Sequence, residues 1–167
     1  MRRLGIVVAL TMLSGGAALA ETGATGSGAD RNFVDRAAAG GMAEVKLATL
    51  AMDRGSSMQV KNFARKMLED HSKANTELKG IAEQKSLALP TGLDAKHQEV
   101  YDKLAKLDGA AFDREYMKAM TEDHDDTVKL FKDEVAKGQD VDLRSFASKT
   151  LPVIEKHDSI AHDNMKK

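Results

Sequence analysis

From Phe33 onward, apolar residues recur every three or four positions through four long stretches, and each stretch carries one ionisable residue on its own stripe. The first runs Phe33, Ala37, Gly41, Val45, Ala48 and Met52, with Glu44 among them. The second runs Val60, Phe63, Ala64, Met67, His71, Ala74, Leu78 and Ile81. Phe112 or Asp113, then Met117, Met120, His124, Val128, Phe131 and Val135 form the third, and Leu143, Ala147, Thr150 or Leu151, Ile154, His157 and Ala161 the fourth. That spacing gathers side chains on one face of an α-helix. The strict alternation of β-branched residues that marks strands is missing, so the fold class is all-α.

The breaks between stripes set the topology. Helix 1 is expected over about 31–54, stopped by Gly55, and Ser56 or Ser57 caps a helix 2 that ends before Pro90. Asp94 caps a shorter segment reaching about Leu107, with Val100, Leu104 and Leu107 inward. Helix 3 follows Asp108-Gly109 and ends at Gly138, and Asp140 caps helix 4, where Pro152 predicts a kink near Ser148 to Pro152. Two hairpins joined by a long, partly helical connection predict a ferritin-like four-helix bundle with its crossover between helices 2 and 3. Two internal likenesses relate the halves: "MLEDHSKANTELK" to "MTEDHDDTVKLFK", and "VKNFARKML" to "LRSFASKTL". The second pairs Phe63 with Phe146 as equivalent core positions.

The first twenty residues stand apart. Arg2 and Arg3 precede an apolar run, Leu4 to Leu13, too short to span a bilayer, and Ala18-Leu19-Ala20 has the small-x-small pattern of a cleavage site. The expected organisation is a signal peptide over 1–20 cleaved after Ala20, a flexible linker over 21–30, and a single helical domain over 31–166. The mature chain would be periplasmic or secreted, with no stable membrane anchor. The absence of cysteine excludes a lipid-modified Cys, disulfides and thiolate ligands. Losing Arg2 and Arg3 takes the formal net charge from −1 to −3. That leaves no basic footprint for nucleic acid.

Glu44 lies about 18 Å and His71 about 22 Å from the turn between helices 1 and 2, and His124 and His157 lie about 22 and 27 Å from the turn between helices 3 and 4. All four therefore fall near mid-height and can meet. In each Glu-Asp-His step the histidine faces inward while Glu69 and Glu122 face water, and Asp70 and Asp123 can orient an imidazole from a neighbouring helix. Two readings fit: a transition-metal ion held by Glu44, His71, His124 and His157, or a metal-free network in which carboxylates satisfy the histidines. Di-iron bundles use Glu-x-x-His on two helices, but Leu68, Thr121 and Ile154 stand three residues before these histidines. Nitrogen-rich ligands place zinc or copper ahead of iron. Met67, Met117 and Met120 are read as core filling, Asp94 with His97 as a solvated pair, and His162 as part of a frayed terminus. No phosphate loop or nucleophile elbow occurs.

"GGMAEVKLATLA", "VKNFARKMLEDHSKANTELK", "AAFDREYMKAM" and "FASKTLPVIEKH" together resemble the bacterial family of domain of unknown function 4142. The resemblance runs from about Phe33 to His162. It implies an exported ferritin-like helical protein and says little of activity. Its motifs fall on Glu44, Asp70, His71, Phe112, Asp113, Tyr116, Asp123, His124, Pro152 and His157, which adds Tyr116 to Asp70 and Asp123 as a residue supporting the four. Three functions are compatible with it: a metal- or ligand-binding bundle, a non-catalytic envelope module tied to stress, and a metal-dependent oxidoreductase.

Overall fold

The structure, a computed structural model, describes residues 28–166. The expected signal peptide, its expected cleavage after Ala20 and most of the expected linker lie outside the described residues. Five helices and no strand occur among them: α1 Gly28–Arg54, α2 Met58–Gln84, α3 Ala95–Leu104, α4 Gly109–Lys137 and α5 Val141–Met165. The connection expected to be partly helical carries one of the five, α3.

Each boundary has a local cause. α1 starts three residues earlier than expected, so Gly28 to Asp30 are helical rather than linker. Asp30 is buried in the first turn and accepts a 2.9 Å hydrogen bond from the Gln139 backbone N–H, tying α1 to the α4–α5 turn. The Ser57 hydroxyl caps α2 by accepting from the Val60 N–H. α2 closes at Gln84, short of Pro90, because Ser86 turns left-handed at φ 55° and the Leu87 and Ser86 amides reach back to the Ala82 and Glu83 carbonyls. Those two bonds satisfy carbonyls that a helix end otherwise leaves open. The Asp94 carboxylate caps α3, and Asp140 caps α5 through the Asp142 and Leu143 amides. α5 continues through Pro152.

α1 packs on α2 and α4 on α5, while α1 also lies on α4 and α2 on α5. α1 and α4 run in opposite directions, since Arg54 pairs with Asp108 at one end and Phe33 meets Phe131 at the other. The connection carrying α3 therefore returns along the length of the molecule, with α3 against α1 and α4. At the α1–α2 turn the Asp113 carboxylate accepts from the Ser56 and Ser57 amides and the Ser56 hydroxyl, locking that turn onto α4.

Two apolar clusters fill the interior. One holds Leu47, Phe63, Met67, Leu104, Phe112, Tyr116 and Met120. The other holds Phe33, Val34, Leu78, Phe131, Leu143, Phe146 and Ile154. Phe63 and Phe146 are both buried, but in different clusters, because antiparallel α2 and α5 carry the same position of the repeat to opposite ends. On α1 the buried face is centred on Val34, Ala43, Leu47 and Ala51, leaving Val45 and Met52 half-buried, since α1 touches three other helices. Val135, expected on the α4 stripe, is exposed. Glu44, His71, His124 and His157, one on each long helix, fall between the two clusters, so a polar layer separates two apolar ones.

Candidate metal centre

The polar layer contains Glu44 from α1, His71 from α2, His124 from α4 and His157 from α5, all buried. One helical turn before Glu44, Gly41 lets α1 approach α2: a Cβ there would stand 2.1 Å from the Asn75 side-chain oxygen. Adjacent helices thus bring these side chains into direct contact rather than near one another.

Hydrogen bonds fix where the protons are. Asp70 accepts from His157 Nε2 at 2.8 Å and from Lys66 Nζ at 2.7 Å. Burial opposes ionisation of Asp70, but those two donors outweigh it and hold the carboxyl below its usual range. A carboxylate only accepts, so His157 carries its hydrogen on Nε2 and its Nδ1 is a lone pair. His71 Nε2, 3.2 Å away, donates to that Nδ1. His71 Nδ1 must then accept from Glu44 Oε2 at 2.6 Å, which requires a protonated Glu44. Burial gives the same answer, pushing Glu44 up to about 8 and His71 and His157 down to about 4 and about 3. A one-way chain of donors therefore runs from Glu44 through His71 and His157 to Asp70.

His124 is arranged differently. Its Nδ1 donates to the Met120 carbonyl at 2.9 Å, and its Nε2 lies 3.4 Å from Glu44 Oε1. Neither atom has a hydrogen-bond partner. Asp123 does not orient one of these imidazoles; its Oδ1 lies 3.3 Å from His97 Nε2, and its Oδ2 is buried without a partner. Tyr116 stacks on Phe112 and meets Phe63 edge-on, and its buried hydroxyl also has no partner. Burial, with the nearby Glu44, holds that hydroxyl in its neutral form.

His71, His124 and His157 can each offer one ring nitrogen within 4.8 Å of the others. Glu44, Asp123 and His124 form a second such group. Ligands about 2.0 to 2.1 Å from a tetrahedral ion lie about 3.3 Å from each other, close to the His71–His157 and His124–Glu44 separations. A third group, Asp125, Asp158 and His162, lies at the surface, where His162 bridges the two carboxylates.

His97 is the residue that sequence reasoning undervalued. It is not a solvated partner of Asp94 alone: Nδ1 meets Asp94 Oδ2 at 2.8 Å while Nε2 reaches Asp123, and the hydrogen bond to Asp123 is the main reason its pKa is raised. The available signal was its spacing of three and seven residues from Val100 and Leu104, which puts His97 on the inward face of α3.

Fold and site together define an all-helical domain with a buried histidine–carboxylate layer. The profile of the domain of unknown function DUF4142 matches residues 16–163, and the chain belongs to that family. No curated protein matches it. Among solved structures it is similar to a DUF305 fragment from Deinococcus radiodurans, at 10% identity and TM-score 0.74, over 84% of this chain and 97% of that one. A candidate secreted DUF305 protein from Streptomyces coelicolor shares 18% identity at TM-score 0.68, over 81% of this chain and 90% of that one. CopM in its Cu(II)-bound form shares 17% identity at TM-score 0.70, covering 82% and 95%. These likenesses concern the fold. No helix among the described residues is long and apolar enough to cross a membrane.

Proposed function

We propose that this is an exported ferritin-like protein, four long helices with α3 as an accessory in the crossover, that binds one transition-metal ion at mid-height through His71, His124, His157 and Glu44. The observation that carries this reading is His124 Nε2, buried, without a partner and facing Glu44 Oε1. A buried polar pair without a partner is costly, and a cation relieves it. Burial already holds His71 and His157 neutral, the form that coordinates. Nitrogen-rich ligands favour Cu(II) or zinc over harder ions, and the Cu(II) bound by CopM, a structural neighbour, supports copper as a candidate. Asp70 acts behind the metal by accepting the His157 N–H, and Tyr116 closes the layer from the adjoining cluster.

Export rests on Arg2, Arg3, the short apolar run and Ala18-Leu19-Ala20, and a candidate secreted neighbour agrees with it. The organisation proposed is a signal over 1–20, a short linker, and one domain to residue 166. An intact mass of the exported protein starting at Glu21 is expected; one that retains Met1 to Ala20 would overturn export by cleavage.

Zinc or Cu(II) at a hundredfold excess over its Kd should stabilise the fold by about 2.7 kcal/mol, roughly 8 °C in Tm for a domain of this size. The double variant H71A/H124A should lose that rise while keeping its helical circular dichroism. A rise of equal size in the double variant would sink the metal reading. One observation favours a second reading, a metal-free layer that fixes helix register in an envelope module: the Glu44–His71–His157–Asp70 chain is fully hydrogen-bonded by itself. Metal analysis of protein taken from its native compartment separates the two.

A further inference from the structure

The histidine cluster leaves part of the polar layer unexplained. Glu44 Oε1, Asp123 Oδ2 and His124 Nε2 are buried and have no hydrogen-bond partner. Their three residues each offer a ligand atom within 4.8 Å of the others. In each residue the other polar atom is engaged: Glu44 Oε2 with His71, Asp123 Oδ1 with His97, and His124 Nδ1 with the Met120 carbonyl. Three buried polar atoms without a partner therefore share one space. A single cation can take all three as ligands at once.

Asp123 also opens outward. With His97, Lys96, Asp125 and Asp126 it lines a groove of about 350 Å³ between α3 and α4. Neither His71 nor His157 lines that groove. Four carboxylates at its wall, those of Glu122, Asp123, Asp125 and Asp126, outnumber the two ammonium groups of Lys96 and Lys129 and attract a divalent cation, and one of the four, Asp123, belongs to the buried trio as well. His124 has one free nitrogen, so it can serve the trio or the histidine cluster, not both. The two positions are thus occupied in succession.

We propose that Glu44, Asp123 and His124 form a second, oxygen-rich cation position, through which a divalent transition-metal ion passes from the α3–α4 groove to the histidine cluster. This rests on the reading of the histidine cluster as the ion's resting place. Two carboxylate oxygens and one nitrogen hold copper or zinc less tightly than a nitrogen-rich set, which gives the transfer its direction.

The test uses zinc, with loading followed in a stopped-flow instrument by competition with a chromophoric chelator. D123N should load about tenfold more slowly than the wild type and reach the same final occupancy. D126N removes an equal charge from the same groove but no atom of the trio, and should slow loading only slightly. An unchanged rate in D123N, or equal slowing in both variants, overturns the proposal. H71A/H157A, checked for helicity, should still bind zinc, more weakly than the wild type, and adding D123N should abolish that binding. A double variant that binds no zinc, or binds it regardless of Asp123, overturns the second position. Wild-type affinity in H71A/H157A, lost on adding D123N, would leave the second position standing and instead remove the histidine cluster as the resting place.

Discussion

The two sides of the polar layer are built from the same residue types and end in opposite states. On the side of α2 and α5, every ring nitrogen of His71 and His157 has a partner, and the chain of donors finishes on an Asp70 that Lys66 neutralises. On the side of α1 and α4, Glu44, Asp123 and His124 each keep one buried atom with none. The difference comes from proton supply. Asp70 is within reach of a cation and so orders the hydrogens of the histidines before it, whereas the His97 imidazole is spent on Asp94 and on the outer oxygen of Asp123. A fully partnered side holds the fold together, and an unpartnered side is available for a ligand.

The largest expected effect breaks the partnered side. H71A removes the acceptor of the Glu44 proton and the donor to His157 and opens a cavity, at a cost of about 3 kcal/mol in apo-protein stability. H124A breaks one bond, to a backbone carbonyl, and should cost about half as much in a urea titration on the same grounds. With zinc present the order should reverse, because H124A removes a metal ligand from both proposed positions. Equal costs for the two apo variants would dissolve the contrast between the sides.

The pH dependence is next in size. His71 and His157 are lowered to about 4 and about 3, so below about 6.5 the unfolded chain takes up protons that the native state refuses, and stability falls as pH falls. Glu44 is raised to about 8, and Glu134 to about 7 by burial and the nearby Asp30, so the native state holds protons that the unfolded chain releases. Their contribution is fully present below the ordinary carboxylate range and is lost as pH rises through about 7 and about 8. Between pH 4.5 and 6.5 the two histidines oppose the two carboxyls, so apo stability should be nearly level there and decline towards pH 8. E44Q should flatten the last part of that decline, between pH 7 and 8. An unchanged slope in E44Q would mean that Glu44 is ionised in the native state.

The same protonation gives the smallest effect in stability and a distinct one in binding. At pH 6, E44Q should change apo stability by less than about 1 kcal/mol, since a glutamine amide can donate to His71 Nδ1 as the acid does. Metal binding near pH 7 should release about one proton, from Glu44 and not from an imidazole, a number that calorimetry in buffers of different ionisation enthalpy reads directly. Release of no proton would place the ion away from Glu44.

Helices were legible wherever the apolar period was long, and their ends wherever a capping side chain was present, as at Ser57, Asp94 and Asp140. The end of α2 was not, because it depends on a left-handed Ser86 that no residue type announces. The meeting of Glu44 with the three histidines could be read from height along the helices, since rise per residue converts sequence distance into position. The role of His97 could not, because the lateral placement of α3 against α4 follows from how Val100 and Leu104 settle on the core.

The sequence by itself determined that this chain is helical, that four long segments each carry one ionisable group into the interior, and that those groups share a level, because helical period and rise are local properties of the backbone. Only the tertiary structure decided which oxygen of Glu44 faces which histidine, that Asp70 and Asp123 have different partners, and that three buried polar atoms are left together without a hydrogen-bond partner. Those outcomes turn on distances between helices of a few tenths of an ångström and on the rotation of each helix about its axis, which packing sets for the whole molecule at once and no local stretch of residues encodes.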